Sequence, residues 1–369
     1  MISDTLLRDT FGLLEFRPGQ RHVITALLDR GAALAVFPTG GGKSLCYQLP
    51  ALQLDGLTLV VSPLIALMKD QIDFLARRGI AAARLDSTLT AAEVRDLSEQ
   101  VRAGRLKLLY VAPERFANER FVELLRRVTI SLFAIDEAHC ISEWGHNFRP
   151  DYLRLAQTAR ELRVERRLAL TATATPAVVR DICARFAIPP DCAVVTGFFR
   201  PNLELQLRAT TKAREALLLQ HLQERPWGPT IVYVTLQKTA ERIAAFLTAA
   251  GLPARPYHAG IDTEARSAVQ DWWMASDRGI VVATIAFGMG IDKADVRYVY
   301  HFNLPKSLES YSQEIGRAGR DGEHSVVELF ASLDDVGVLE NFAYGDTPSV
   351  EALHSLVEDI LAMGAAFAV

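Results

Sequence analysis

Cysteine is scarce in this sequence. The 369 residues contain four cysteines and no CxxC pair, a pattern that predicts a reducing compartment, no disulfide framework and no zinc site. No stretch approaches the roughly 18 consecutive apolar residues that a membrane-spanning helix requires. The first 20 residues also lack the apolar block of a secretory signal. We therefore expect a cytoplasmic protein with no membrane partner.

An excess of positive charge is also missing. Forty lysines and arginines are outnumbered by 44 acidic residues, so the formal net charge is −4. Affinity for a polyanion such as nucleic acid would have to come from local clusters of basic side chains and from backbone amides. Half of the residues are hydrophobic and 23% are charged, which excludes intrinsic disorder and is typical of a globular protein.

Short apolar runs alternate with amphipathic stretches along most of the chain, which predicts parallel strands joined by helices in an α/β fold. The rhythm changes in an aromatic, proline-containing stretch at 196–209. We therefore predict two parallel-sheet domains, 1–200 and 201–340, followed by a C-terminal helical segment, 341–369. The predicted strands are 33–37, 57–62, 106–111, 131–135 and 167–173, and then 230–234, 254–258, 279–285, 296–302 and 325–330.

The segment AVFPTGGGKS (35–44) predicts a phosphate-binding loop between a strand and a helix. Consecutive glycines let the backbone approach phosphates, and the N-terminus of the following helix attracts negative charge. Lys43 would reach the β- and γ-phosphates, and the Ser44 hydroxyl would bind Mg²⁺. Because Phe37 stands where a strict pattern has glycine, a simple turn before a surface lysine stays open for this loop alone. The residues expected to contact nucleotide here are Thr39, Gly40, Gly41, Gly42, Lys43 and Ser44.

An acidic pair, Asp136 and Glu137, follows the apolar run SLFAI about 90 residues later. An acid at the C-terminal end of a neighbouring parallel strand lies at the ligand-binding edge of such a sheet. Asp136 would therefore hold Mg²⁺, and Glu137 would orient and polarise an attacking water. Taken by itself, this dipeptide could instead be an ordinary pair of acids in a solvent-exposed turn.

Two arginines near the end of the second series, Arg317 and Arg320, follow Gln313 at intervals of three or four residues. This spacing predicts that the three side chains share one helix face. An arginine so placed could stabilise the transition-state charge of phosphoryl transfer. A solvated basic helix is the alternative. A glycine-rich turn that ends at Asp292 would supply further contacts near the nucleotide.

The order of short motifs along the chain resembles superfamily-two helicases, and two segments resemble the RecQ family in particular. The general motifs are PTGGGKS (38–44), SPLIALMKDQ (62–71), YVAPER (110–115), DEAH (136–139), TATAT (171–175), YHAG (257–260), FGMGIDK (287–293) and QEIGRAGRDG (313–322). The RecQ-like segments are FRPGQ (16–20) and AHCISEWGHNFRPDY (138–152). The resemblance spans roughly residues 8 to 330, nearly the whole chain.

This resemblance implies two tandem RecA-like domains that close on ATP and Mg²⁺ in the cleft between them. It makes Arg320 the expected arginine finger, with Arg317 and Gln313 in support. Arg17 and Gln20, in the FRPGQ segment, would read the adenine edge. Leu13 stands where many relatives carry an aromatic residue that stacks on the base.

The resemblance also implies single-stranded DNA across the top of both domains. In the loop after DEAH, aromatic and basic side chains would stack on bases and signal to the ATP site through His139; a packed surface plug is the alternative. The expected DNA contacts here are His139, at the end of DEAH, and the loop residues Trp144, His146, Phe148 and Arg149. Further contacts expected from family positions are Ser62, Thr173, Lys238, His258 and Thr284, each of which could also be an ordinary surface or capping residue.

The expected function is that of a RecQ-type ATP-dependent DNA helicase. It would move 3′-to-5′ on single-stranded and forked DNA in repair or recombination, in the bacterial cytoplasm or nucleoid. An RNA-dependent helicase of the same superfamily and a non-catalytic nucleic-acid-binding nucleotide switch stay open as alternatives. The zinc and winged-helix modules common in RecQ proteins are missing, so we expect either a truncated form or a short branch of the family.

Overall fold

A computed structural model describes residues 3–63, 65–142, 149–197, 199–210, 213–287 and 293–344, together with 354–355 and 358. Its strands form two sheets in which every described pairing is parallel. The first sheet contains β1 (Ala32–Val36), β2 (Leu57–Val61), β3 (Ala82–Leu85), β4 (Leu108–Val111), β5 (Ile130–Ile135), β6 (Arg167–Thr171) and β7 (Ala193–Val195). The second contains β8 (Leu203–Ala209), β9 (Thr230–Tyr233), β10 (Ala254–Tyr257), β11 (Ile280–Ala283), β12 (Tyr298–His301) and β13 (Ser325–Ala331).

Helices connect most of the consecutive strands in each sheet, and such crossover connections are what parallel pairing requires. The helices of the first half are α1 (Asp4–Phe11), α2 (Gln20–Arg30), α3 (Leu45–Gln53), α4 (Ile65–Ala76), α5 (Ala91–Arg102), α6 (Glu119–Leu125), α7 (Pro150–Glu161) and α8 (Pro176–Phe186). Those of the second half are α9 (Arg214–Glu224), α10 (Gln237–Ala249), α11 (Thr263–Ala275), α12 (Leu308–Ile315) and α13 (Asp334–Tyr344). Short 3₁₀ helices cover Pro113–Ala117, Ala138–Ile141 and Pro190–Cys192.

The strand order shows how the α/β prediction is realised. The first sheet runs β3-β4-β2-β5-β6-β1-β7 and the second β10-β11-β9-β12-β13-β8. Every residue of β1, β2, β4 and β5 is buried, because helices cover both faces of these central strands and the sequence there is continuously apolar. The predicted class, two parallel-sheet α/β domains, is confirmed.

Three strands were not predicted: β3, β7 and β8. The residues of β3 and β7 are mostly only partly buried, and β8 is an edge strand with polar residues between its leucines. Strands at the edge of a sheet carry a weaker apolar signal than central ones, which explains the omission. β7 ends at Val195 and β8 begins at Leu203, so the predicted boundary near residue 200 falls between the two sheets.

The cores of the two halves are separate. One apolar cluster extends from α1 to β7, whereas two smaller clusters lie on the two faces of the second sheet. Trp273 is fully buried in one of these clusters. Among the described residues, no helix combines the length and apolarity that crossing a bilayer requires. The predicted segment 341–369 lies largely outside the described residues.

Candidate active site

The phosphate-binding loop leaves the buried strand β1 and enters α3 directly after Ser44. The Nζ atom of Lys43 donates to the backbone oxygens of Phe37, at 3.1 Å, and Pro38, at 3.4 Å. Burial lowers the pKa of the Lys43 ammonium, and the nearby acids Glu137 and Asp136 oppose that effect. The ammonium group therefore lies between the loop and the predicted catalytic acids.

The side chains of Arg17 and Gln20 donate hydrogen bonds to backbone carbonyls of the same loop. The Gln20 Nε2 atom donates to the Gly42 carbonyl oxygen at 2.9 Å, and the Arg17 guanidinium donates to the Gly40 carbonyl. The Arg17 backbone N–H in turn donates to Gln20 Oε1 at 2.8 Å. Gly42 has φ +74°, and a side chain there would collide with the Gln20 amide, so glycine is required at this position. Contact of Arg17 and Gln20 with adenine stays a prediction.

The acidic pair lies immediately after β5, in the centre of the first sheet. Asp136 accepts from the Ser62 hydroxyl at 3.4 Å and from the backbone N–H of Glu137 at 3.0 Å. The Tyr152 hydroxyl donates to the Asp136 carbonyl at 3.1 Å. Glu137 adopts φ +50°, a left-handed conformation that is unusual for a non-glycine residue and that clusters at functional sites.

The electrostatics of this pair suit a divalent cation. Burial, and then the neighbouring Glu137 carboxylate, raise the pKa of Asp136 to about 7. Such a shift indicates negative charge without sufficient compensation, which a bound cation would supply. A carboxylate and a hydroxyl are the oxygen ligands that Mg²⁺ prefers, and it often takes only one or two of them from protein. Ser44 and Asp136 therefore fit the predicted magnesium site.

A buried histidine continues the site away from the acids. His139 Nδ1 lies 2.8 Å from the Thr171 hydroxyl and 3.3 Å from a Glu137 carboxylate oxygen. Burial lowers the pKa of His139, but hydrogen bonds to Cys140 and Glu137 outweigh it and raise the pKa to about 10. The Thr171 hydroxyl donates to the Thr173 carbonyl at 2.9 Å. The catalytic acids are thus linked to the TATAT segment.

The prediction that Gln313, Arg317 and Arg320 share one helix face is wrong. α12 ends at Ile315, and residues 316–321 form turns in which Gly319 has φ +54°. Gln313 is therefore on the helix, whereas both arginines follow it in irregular backbone. The physical reason is the local sequence, because two glycines within four residues favour the end of a helix and the turns after it.

These turns nevertheless bring the second domain against the first. A methyl group at Gly316 would lie 2.6 Å from the Cβ of Thr39, and one at Gly40 would lie 3.5 Å from the Arg320 Cγ. The positive charge of Arg320 also contributes to the lowered pKa of Lys43. Gln313 Nε2 donates to the Thr173 hydroxyl at 3.4 Å, across the same junction. The glycine loop, the acids and Arg320 therefore face one cleft, while Arg317 lies beside the Tyr233 hydroxyl within the second domain.

Sequence reasoning missed Arg200, which lies between the two sheets. Its Nη1 donates to the Gly316 carbonyl at 3.3 Å, and its Nη2 donates to the Gly319 carbonyl. Asn202 Nδ2 also donates to the Gly319 carbonyl, at 2.8 Å. An arginine in a connecting segment carries no motif of its own, and these partners lie more than 110 residues away in sequence. Only its place in the aromatic, proline-containing stretch at 196–209 marked this region for attention.

The predicted DNA contacts fall into three groups in the structure. Lys238 and Arg149 are exposed. Five others are buried near strand ends: Ser62, His139, Thr173, His258 and Thr284. Of these, the Thr173 hydroxyl already accepts a hydrogen bond from Gln313. Trp144, His146 and Phe148 lie outside the described residues, as does the predicted nucleotide contact Asp292. Contact of any of these residues with DNA stays a prediction.

Comparison with known proteins places this geometry in a family context. Residues 17–182 match the family described as DEAD/DEAH box helicase, and residues 213–322 match the helicase conserved C-terminal domain. The ATP-dependent DNA helicase RecQ of Haemophilus influenzae is 44% identical over 336 residues, which are 91% of this chain and 54% of that protein. The chain thus spans about half the length of that relative.

A second relative is covered more fully. The probable ATP-dependent DNA helicase RecS of Bacillus subtilis is 40% identical over 354 residues, which are 94% of this chain and 70% of that protein. Among solved structures, the DEAD-box helicase Mss116 bound to single-stranded RNA and UDP-BeF matches with a TM-score of 0.71 and 17% identity, over 93% of this chain and 77% of that one. The Mycobacterium smegmatis helicase Lhr bound to single-stranded DNA and AMP-PNP matches with a TM-score of 0.67 and 22% identity, over 91% and 49%. The structural matches establish the fold, which is two RecA-like domains.

Proposed function

Because the chain belongs to the RecQ family of ATP-dependent DNA helicases, we propose that it hydrolyses ATP in the cleft between its two domains and uses the cycle to move along single-stranded DNA. The observation that carries this proposal is the approach of Arg320 to Gly40, which joins an arginine of the second domain to the phosphate loop of the first. A non-catalytic nucleotide switch would not need an arginine in that place.

Each side chain of the cleft then has a role in phosphoryl transfer. The loop amides and Lys43 bind the phosphates, while Arg17 and Gln20 hold the loop and contact adenine. Ser44 and Asp136 would hold Mg²⁺, which when bound would supply positive charge that offsets the charge of the phosphates. Glu137 orients the water whose oxygen bonds to the γ-phosphorus as the bond from that phosphorus to the bridging β–γ oxygen breaks. Arg320, supported by Gln313 and Arg317, stabilises the charge that develops on the transferred group.

Contacts across the junction give a route by which hydrolysis is coupled to movement. Glu137 contacts His139, and His139 contacts the Thr171 hydroxyl. That hydroxyl donates to the Thr173 carbonyl, and the Thr173 hydroxyl accepts from Gln313 of the second domain. A change at the acids therefore reaches the second domain through consecutive polar contacts. ATP that binds the closed arrangement more tightly than the open one would shift the population between them in each cycle.

Single-stranded and forked DNA are the proposed partners, with 3′-to-5′ movement and a role in repair or recombination. The strand would pass over the loop that contains Trp144, His146, Phe148 and the exposed Arg149, and over Lys238 and the strand ends at Ser62, Thr173, His258 and Thr284. Aromatic stacking would supply about 1–3 kcal/mol per base. We further propose a cytoplasmic location, consistent with the bacterial relatives.

The proposal is tested by phosphate release from ATP with matched single-stranded DNA and RNA oligonucleotides. We expect DNA to stimulate the full chain strongly and RNA weakly, and we expect Lys43→Ala to remove the activity. Equal or stronger stimulation by RNA would identify an RNA-dependent motor instead. Nucleotide binding with no release above the Lys43→Ala background would identify a switch and reject hydrolysis.

A further inference from the structure

We propose that Arg200, in the segment between the two domains, is a positioning residue that sets Arg320 against the phosphate loop. This inference rests on the proposed ATP hydrolysis. Arg200 lies outside the phosphate loop, the acidic pair and the turn at 316–321 that carries Arg317 and Arg320, which we call the arginine turn. The role proposed for Arg200 is therefore additional to the roles of those groups.

Hydrogen bonds from Arg200 fix the turn that carries the finger. One guanidinium nitrogen donates to the Gly316 carbonyl at 3.3 Å and the other to the Gly319 carbonyl. These two carbonyls bracket the turn from α12 to Arg320. Because arginine presents its donors in a rigid planar fork, bridging two carbonyls also fixes their separation. The turn between them has no regular secondary structure to hold it, so the position of Arg320 depends on contacts of this kind.

Arg200 also reaches the phosphate loop itself. A methyl group at Gly40 would lie 3.8 Å from Arg200 Nη1 and 3.5 Å from the Arg320 Cγ. The two arginines therefore approach the same point of the loop from the second domain's side. Because Arg200 contacts the backbone of the turn that carries Arg320 and also lies at the phosphate loop, it can set the distance between Arg320 and that loop.

The local charge supports a role tied to nucleotide. Burial, and then the charges of Arg320 and Arg17, lower the pKa of the Arg200 guanidinium. The neighbouring acid Asp321 is already paired with Arg297 at 2.5 Å. Three guanidinium groups thus converge on the apex of the loop. A bound triphosphate would offset the repulsion among these three cations, whereas a residue that only holds the turn in place would not require the three charges to lie together.

Asn202 provides a matched control. It donates to the Gly319 carbonyl at 2.8 Å and to the Glu323 carbonyl at 2.9 Å, so it clamps the same turn. It carries no charge. Its side-chain oxygen accepts from Arg200 Nη2 at 3.4 Å, and its two donated hydrogen bonds go to the second domain and none to the phosphate loop. Comparing Arg200→Ala with Asn202→Ala therefore separates positioning at the phosphate loop from simple stabilisation of the turn.

The experiment measures DNA-stimulated ATP hydrolysis and nucleotide affinity for the full chain and three variants: Arg200→Ala, Arg200→Lys and Asn202→Ala. For Arg200→Ala we expect kcat to fall about 10- to 100-fold, while KM for ATP stays within about 3-fold. Its affinity for ADP–aluminium fluoride should fall about 10-fold or more relative to AMP-PNP, because positioning matters most in the transition state. This affinity ratio does not depend on the fraction of folded protein.

The two other variants decide between explanations. Arg200→Lys should recover less than half of the lost kcat, since an ammonium group cannot bridge two carbonyls as a fork does. Asn202→Ala should stay within about 3-fold of the unmodified chain in kcat and in the affinity ratio. Equal losses in Arg200→Ala and Asn202→Ala would overturn the inference in favour of a general clamp, as would an Arg200→Ala variant that matches the unmodified chain. No DNA-stimulated hydrolysis by the unmodified chain would reject the proposed function and this inference together.

Discussion

The two sides of the cleft hold their functional groups in different ways. On the first side, Lys43 and Asp136 follow β1 and β5, central strands whose every residue is buried. On the second side, Arg317 and Arg320 lie in turns after α12, and the turns are held by side chains from the segment between the domains. The sheet fixes the first set of groups directly, whereas long-range contacts fix the second.

From this difference we expect the two sides of the cleft to have different roles in the ATP cycle. Groups fixed by a buried sheet can hold the nucleotide throughout the cycle. Groups carried by turns and by contacts at the junction can approach and withdraw with a small change in domain arrangement, because few packed side chains must be rearranged. Substitutions on the first side should therefore change binding or chemistry, and substitutions on the second should change chemistry alone.

The largest expected effect is that of Arg320→Ala. Loss of an arginine finger should lower kcat about 10³-fold or more, because developing charge on the phosphoryl group is no longer offset. AMP-PNP should bind nearly as tightly as before, since the phosphate loop lies on the other side. Phosphate release and fluorescent-nucleotide titration check both statements. Lys43→Ala is the matched control and should weaken binding as well; if Arg320→Ala weakened AMP-PNP binding equally, the two sides would not differ as described.

The next effect is that of Glu137→Gln, on the strand-held side. Removing the carboxylate that orients water should lower kcat about 10²- to 10⁴-fold while leaving the shape of the site intact. ATP should therefore remain bound without turnover, which a filter-binding assay with radiolabelled ATP can show. Rapid turnover in this variant would remove Glu137 from the mechanism and leave its left-handed backbone without a functional explanation.

A smaller effect is expected at the contact between the two sides. Thr173→Val removes the hydroxyl that accepts from Gln313 and should reduce DNA-stimulated kcat about 3- to 10-fold, the value of one hydrogen bond. Thr175→Val is the control, because the Thr175 hydroxyl accepts from the Val178 backbone N–H and caps α8 within the first domain. Equal kinetic losses in the two variants would indicate damage to the first domain rather than lost coupling.

The smallest effect concerns stability and pH. The folded-state pKa of His139 is raised to about 10, so its ion pair with Glu137 stabilises the fold fully below about pH 6.5 and is lost as the pH rises towards 10. His139→Gln should therefore lower Tm by about 2–4 °C at pH 6 and by less at pH 10. The control residue is His324, which is exposed and pairs with the exposed Glu204. Because a surface ion pair contributes little to stability, His324→Gln should lower Tm at pH 6 by less than His139→Gln. If His139→Gln lowered Tm equally at pH 6 and pH 10, the ion pair between His139 and Glu137 would be contradicted.

The contrast between the two sides also explains what could be predicted from the sequence. Lys43, Asp136 and Glu137 could be placed because a continuous apolar run marks a buried strand and its end marks the ligand-binding edge. The arginine turn was misassigned to a helix, since spacing alone cannot show that Gly316 and Gly319 end it. Arg200 was missed because its function depends on partners brought together only by the fold. Local patterns predict groups held by local structure, and they fail where distant segments meet.

The most direct test of the two-sided cleft is disulfide cross-linking between Thr39→Cys and Gly316→Cys. The four native cysteines are buried, so background cross-linking should be low. A methyl group at Gly316 would lie 2.6 Å from the Thr39 Cβ, so only a small separation is needed to reach the roughly 3.5–4.5 Å that a disulfide spans. We predict that the cross-link forms, and forms faster with AMP-PNP, Mg²⁺ and single-stranded DNA than without them. If it does not form under any of these conditions, the two halves do not share one ATP site.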